Sequence, residues 1–163
     1  TIAHSYMESI FSKKEIRLSN KDIIGIENEK SKIETVKSIC EKMKTSFMKS
    51  EIGILAENSS WIKTEFEFRS KIENKILKGF IDLVFKDKEN NVYILDYKTN
   101  QEIKPEIYVL QLACYRQAIS QILNIPDASK IKCLLHYLRF DKTIDISNDC
   151  DKVDISQAIK NFE

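Results

Sequence analysis

Two apolar runs, Gly79-Phe-Ile-Asp82-Leu-Val-Phe85 and Ile94-Leu-Asp96-Tyr-Lys98, constrain the fold more than any other part of the chain. Both are rich in β-branched and aromatic residues, which marks them as strands. The polar stretch between them, Asp87-Lys-Glu-Asn-Asn91, is suited to a hairpin turn. A turn centred near Glu89 sets Asp82 opposite Asp96. Side chains alternate along a strand, so Asp96 and Lys98 share a face. Antiparallel partners also share a face, which brings Asp82 to the same side. The other face is then expected to carry Ile81, Leu83, Phe85, Tyr93, Leu95 and Tyr97. Three charges clustered in an apolar hairpin are costly unless something binds them, and a divalent cation is the natural candidate.

The flanking segments supply the rest of a layered domain. Ile2, Tyr6 and Ile10 recur at helical spacing over Thr1 to Phe11. From Asn28 to Lys49, Ile33, Val36, Cys40, Met43 and Phe47 form a longer amphipathic stripe. After Trp61 the period changes to two, with Ile62, Thr64, Phe66 and Phe68 alternating with charged residues, as in a half-buried strand. Pro105 opens a helix whose stripe is Tyr108, Leu112, Tyr115, Ile119 and Ile122, ending before Pro126. Ile131 to Phe140 reads as a strand, Ile144 to Ile146 as a short one, and Val153 to Phe162 as a closing helix. Strands joined by short turns, followed by a helical crossover to a further strand, predict an α/β fold with a mixed sheet flanked by helices.

A chain of 163 residues is one ordinary domain, so residues 1–163 are expected to fold as a unit. With 26 Lys and Arg against 25 Asp and Glu, bulk charge favours no polyanionic partner, and any basic surface must be local. Cys40, Cys114, Cys133 and Cys150 are widely spaced without a Cys-x-x-Cys pair, which argues against a zinc ribbon or an iron–sulfur cluster. They read as free thiols in a reducing cytosol, implying a cytoplasmic protein. No run approaches the ~18 apolar residues of a membrane span. The chain begins at Thr1, which is compatible with a piece of something longer.

The chemistry of the hairpin follows from its donors. An oxygen-rich site suits Mg²⁺ or Mn²⁺. Asp82 and Asp96 offer anionic oxygens, whereas protonated Lys98 is no ligand; it can orient a water and meet negative charge on a substrate. Two carboxylates, a divalent metal and a lysine are suited to in-line attack of water at phosphorus, and so to hydrolysis of a nucleic-acid backbone.

Gly79-Phe-Ile-Asp82, Asp96-Tyr-Lys98-Thr99 and Gln111-Leu-Ala-Cys-Tyr115, in this order and at these gaps, resemble the RecB-type branch of the PD-(D/E)xK nuclease superfamily. The resemblance runs from the first helix to the strand after Tyr115. It implies a restriction-endonuclease-like fold and a Mg²⁺-dependent deoxyribonuclease. It implies that His4, in Ala3-His4-Ser5, completes the metal site with Asp82, Asp96 and the backbone carbonyl of Tyr97. It further implies that Gln111 and Tyr115 lie near the active site and the DNA backbone, and that Glu65 matches an acidic position of this branch. Ile81 stands where this branch often has Pro. The cysteine cluster of some members is missing, which favours the side of AddA and RecB, the nuclease-bearing subunits of helicase–nucleases. On that reading the chain is the C-terminal nuclease part of such a subunit. It would take single-stranded DNA ends from a helicase domain of the parent chain and work beside a partner subunit in double-strand-break repair. No Walker A sequence is present, so any motor lies elsewhere.

Other readings weigh against these. A structural ion-pair cluster would explain Asp82, Asp96 and Lys98 without catalysis, but such networks stabilise weakly when buried. A catalytically inactive DNA-binding or docking module of the same fold would keep the shape and lose the chemistry. A stand-alone restriction-type or CRISPR-associated nuclease would share the chemistry in another context. His136 reads as a satisfied core or edge histidine. Lys13-Lys14 and the run from Arg139 to Lys142 read as solvated surface.

Overall fold

The computed structural model describes residues 2–12 and 30–161. Helix α1 (Ile2–Ser12) precedes α2 (Lys30–Lys49) and α3 (Glu51–Glu57). Strands β1 (Trp61–Ile72), β2 (Lys75–Lys86) and β3 (Val92–Lys98) follow. A 3-10 turn (Pro105–Tyr108) leads into α4 (Val109–Ile122). Then come β4 (Lys132–Tyr137), β5 (Lys142–Asp145), α5 (Ser147–Asp151) and α6 (Ile155–Lys160). Lys13-Lys14, Asn28 and Phe162 lie outside the described residues.

The strands form one five-stranded sheet in the order β1-β2-β3-β4-β5. β1, β2 and β3 are successively antiparallel, β3 and β4 are parallel, and β4 and β5 are antiparallel. The expected mixed sheet is therefore formed, with the segment from Pro105 through α4 as the crossover that a parallel pair requires. At the β2–β3 turn the Asp87 carboxylate accepts the backbone N–H groups of Glu89 and Asn91, both at 2.9 Å. The paired residues run from Lys86↔Val92 to Leu83↔Leu95, and one further step of that register sets Asp82 opposite Asp96.

Apolar side chains close both sides of the sheet. Met7, Phe47 and Ile52 from the first three helices pack with Leu83, Phe85, Leu95 and Tyr97. Ala118 and Ile119 of α4 pack with Phe68, Ile81, Val84 and Ile94. Ile81 thus departs from the expected face: it lies with the α4 cluster, whereas Leu83 and Phe85 lie on the other side. The physical cause is at Glu65, whose φ of 45° interrupts the β1 backbone between the Thr64↔Leu83 and Phe66↔Ile81 pairs. β1 changes sides at the same level, because Ile62 packs with the first cluster and Phe66 and Phe68 with the second.

Several boundaries differ from the periodicity. β4 stops at Tyr137, where the Phe140 N–H donates to the Tyr137 carbonyl and Asp141 turns at φ 48°. The closing helix is a single short one, α6, which the Asp154 side chain starts by accepting the Gln157 N–H at 2.9 Å, and the short α5 before it was not expected. Helix α3 begins where the Ser50 hydroxyl accepts the Gly53 N–H. All four cysteines are free thiols. Among the described residues no helix is long and apolar enough to cross a membrane.

His136 is 1% exposed, with Nδ1 2.9 Å from the Thr143 hydroxyl and its ring edge-on to Phe47. Burial lowers its pKa from 6.5 to about 4, against the opposing pull of Asp141. A proton then binds the unfolded chain first as pH falls, so this residue's contribution to stability is full above pH 6.5 and is lost as pH falls toward 4. Urea unfolding at pH 7 and pH 4.5 is expected to show wild type losing about 2 kcal/mol more than His136→Gln. An equal loss in both proteins rules out a buried neutral imidazole.

Candidate active site

The site forms where the β2–β3 ladder stops. Beyond Leu83↔Leu95, the Asp82 carboxylate accepts the Tyr97 N–H through Oδ2 at 2.8 Å. A side chain thereby takes over a backbone donor, and the main chain at Tyr97 is fixed beside Asp82. Helix α1, seated by Met7 in the core, brings His4 to the same place. Its Nε2 lies 3.0 Å from the Tyr97 carbonyl oxygen and 3.5 Å from Asp82 Oδ2. The hydrogen bond to Asp82 raises the His4 pKa above 6.5 despite partial burial.

Asp96 and Lys98 follow on β3. Lys98 Nζ lies 2.5 Å from Asp96 Oδ2, and both side chains are largely withdrawn from solvent. The Asp96 carboxyl is raised above the usual range, first by burial and next by neighbouring Asp82, with Lys98 opposing. The Lys98 ammonium is the group that meets its Oδ2 among the described residues. The Lys98 ammonium also stands over the Tyr108 ring, 3.8 Å from its centroid, a cation–π contact. Leu138 N–H donates to the Lys98 carbonyl at 2.9 Å and Arg139 Nε to the Thr99 carbonyl at 2.6 Å, which holds the strand end in place. A depression of about 330 Å³ opens next to Tyr108, lined also by Asn100, Glu102, Lys104 and Ile107.

Of the sequence-predicted residues, His4, Asp82, Asp96, the Tyr97 carbonyl and Lys98 are brought together. Gln111 and Tyr115 pair on α4, Gln111 Nε2 donating to the Tyr115 hydroxyl at 2.9 Å. Burial raises the Tyr115 phenol against the Gln111 hydrogen bond, and the fields of Asp96 and Asp82 push it the same way as burial. Glu65 sits opposite Asp82 at the interruption of the β1–β2 ladder. Sequence reasoning gave Tyr108 no role beyond the helix stripe. The available signal was its place one turn before Leu112 and two before Tyr115, on the stripe that Pro105 opens.

As they stand, no three His, Cys, Asp or Glu side chains among the described residues are gathered into a metal-holding group. The donor set nevertheless suits a hard cation: two carboxylates, a main-chain carbonyl and an imidazole. The Asp96 carboxyl is buried beside the Asp82 carboxylate, which raises its pKa against the opposing pull of Lys98. A buried pair of neighbouring carboxylates fits a place for a further cation.

Comparisons with known proteins identify the family and the fold. A model of the PD-(D/E)XK nuclease superfamily matches residues 1–159. An ATP-dependent helicase/nuclease subunit from Lysinibacillus sphaericus is 31% identical over 102 residues, 52% of this chain and 8% of that protein. The RecBCD enzyme subunit RecB of Borreliella burgdorferi is 40% identical over 68 residues, 32% of this chain and 6% of that one. The chain thus spans under a tenth of the length of these relatives. A crystal structure from Eubacterium rectale, of a protein assigned as an exonuclease, superposes with a TM-score of 0.59. It shares 15% identity, with 98% of this chain and 61% of that chain covered, and shows the same fold.

The glycine of the Gly-x-x-Asp motif has a packing cause. A Cβ on Gly79 would stand 3.0 and 3.1 Å from the Phe68 ring and 3.6 Å from the Tyr115 ring, and those rings are edge to face at 5.4 Å. Gly79→Ala is expected to cost about 1–2 kcal/mol in urea unfolding by displacing Phe68. In a Phe68→Leu background the same methyl should cost under ~0.5 kcal/mol, because the obstructing ring edge is gone. Equal costs in the two backgrounds refute that packing account.

Proposed function

This chain belongs to the PD-(D/E)XK nuclease superfamily, and we propose that it is the Mg²⁺-dependent DNA nuclease module of a longer AddA-like or RecB-like helicase–nuclease. The reading rests on one observation: Asp82, Asp96, Lys98, His4 and the Tyr97 carbonyl meet where the β2–β3 ladder ends. Asp82, Asp96, the Tyr97 carbonyl and His4 would hold the cation. Bound there, Mg²⁺, or Mn²⁺ in its place, supplies Lewis acidity toward a phosphoryl oxygen and lowers the pKa of water.

The protein's own groups do the remaining work. Asp96 keeps the Lys98 ammonium at the strand end and Tyr108 supports it from the ring face. So held, Lys98 orients water and meets the negative charge of a phosphodiester. Asp82 keeps the Tyr97 main chain rigid and its carbonyl directed at the His4 side of the site. Gln111 and Tyr115 steady the DNA backbone from α4. The substrate we assign is a single-stranded DNA end delivered by a helicase motor and digested exonucleolytically. The work belongs to recombinational repair of double-strand breaks, in the cytoplasm, beside a partner subunit.

Labelled single-stranded DNA is expected to be cut in Mg²⁺ and left intact in chelator. Asp96→Asn and Lys98→Ala should each lower the rate at least about 100-fold, as loss of a charge-stabilising group does. Mg²⁺ or Mn²⁺ should raise the Tm of wild type and leave that of Asp82→Asn unmoved. Cleavage by Asp96→Asn at the wild-type rate, or an equal metal-induced Tm shift in both proteins, overturns the assignment.

A further inference from the structure

The β1–β2 hairpin carries a face that the fold does not use. Beyond the Glu65 interruption, one side of the hairpin packs Phe68, Ser70 and Ile72 inward. The opposite side is built from three consecutive cross-strand pairs: Glu67↔Phe80, Arg69↔Lys78 and Lys71↔Ile76. All six side chains are exposed, Phe80 at 56% and Ile76 at 53%. Arg69 and Lys78 are like charges directly opposite one another, an arrangement that costs stability. Among the described residues none of Arg69, Lys71 and Lys78 has a carboxylate within 4.0 Å. Three cations and one carboxylate therefore surround two open apolar side chains. This shelf begins at Phe80, two residues and roughly 7 Å of strand from Asp82.

We propose that this shelf is a binding site for single-stranded nucleic acid, with an unpaired base stacked on Phe80 and phosphates lying along Arg69, Lys78 and Lys71. The inference rests on the nuclease reading for its direction, since the strand would run from the shelf toward Asp82. Charge decides the chemistry: a polyanion removes the repulsion between Arg69 and Lys78 that the folded chain alone leaves in place. The exposed ring decides the strandedness, because only an unpaired base offers a face for stacking. An apolar protein partner fits less well. It would bury Arg69 and Lys78 without counter-charge, and interface centres are depleted in charge for that reason.

The full chain, kept in chelator so that no strand is cut, is titrated into fluorescein-labelled oligothymidylate, oligouridylate and a duplex of equal length. Wild type should prefer both single strands, the two together distinguishing DNA from RNA as the natural ligand. Phe80→Ala should weaken single-strand binding about tenfold, the order expected for one lost stack, and leave duplex binding unchanged. Phe80→Trp should retain binding, and Phe80→Leu should fall with Ala. Arg69→Gln and Lys78→Gln should each reduce the salt slope by about 0.7. Iodouracil-substituted strands should crosslink at Phe80. The shelf is refuted by wild-type affinity in Phe80→Ala, by Leu serving as well as Phe, or by a wild type that binds no single strand. A change confined to sedimentation refutes it in favour of a protein interface. The two readings separate cleanly. Phe80-dependent binding without Mg²⁺-dependent cleavage keeps the shelf and removes the nuclease, whereas cleavage with Phe80-independent binding does the reverse.

Discussion

The hydrogen bond from the Tyr97 N–H to the Asp82 carboxylate is the constraint on which the site depends. Up to Leu83 and Leu95 the two strands satisfy each other through the main chain; beyond, a side chain takes over. This substitution lets the strands carry different chemistry while staying joined. It also sets the Tyr97 carbonyl against His4, so one bond positions a carboxylate, a carbonyl and, through them, a helix from the other end of the chain. Charge-assisted bonds to a backbone N–H are among the stronger ones available, which suits a position where the ladder has ended.

What this arrangement contributes to stability is small or negative. Burial and then Asp82 raise the Asp96 pKa, with Lys98 and His4 opposing. A structural ion-pair network would place acids and bases alternately with complete hydrogen bonding. Here two carboxylates are neighbours, and among the described residues Lys98 pairs with Asp96 alone. The surrounding core of Phe47, Leu83, Leu95 and Tyr97 supplies the stability that the charges do not.

Patterning in the sequence carried the sheet. Period-two alternation located β1, apolar β-branched and aromatic runs located β2 and β3, and the turn chemistry of Asp87 to Asn91 fixed a register that sets Asp82 opposite Asp96. Sequence patterning failed at Glu65, because a left-handed backbone at a glutamate has no compositional mark of the kind a glycine provides. One misplaced side chain, Ile81, followed from that single residue. Helix α3 was missed although Ser50 and Glu51 form an ordinary helix start, since the long α2 stripe runs straight into it. In the site, the carboxylates and lysine were legible from chemistry alone, while His4, Gln111 and Tyr115 came only through family resemblance. Tyr108 was legible as a stripe residue but not as the floor under Lys98. Which strand end passes over a helix depends on the crossover path, and that is a property of the whole fold.

The slip at Glu65 has a consequence beyond the misassigned isoleucine. A hairpin as long as β1–β2 that kept strict alternation would present one face to the same helices along its whole length. By changing sides at the level of Glu65 and Asp82, it packs its inner half against the first helices and its outer half against α4. Asp82 therefore sits at the bend, where neither cluster encloses it, and the outer half turns its charged face to solvent. Between the buried Ile81 and Leu83, Asp82 keeps 15% of its side chain open to solvent. The strained backbone and the accessible acid have the same origin, and strain of this kind persists only where the surrounding packing over-determines it.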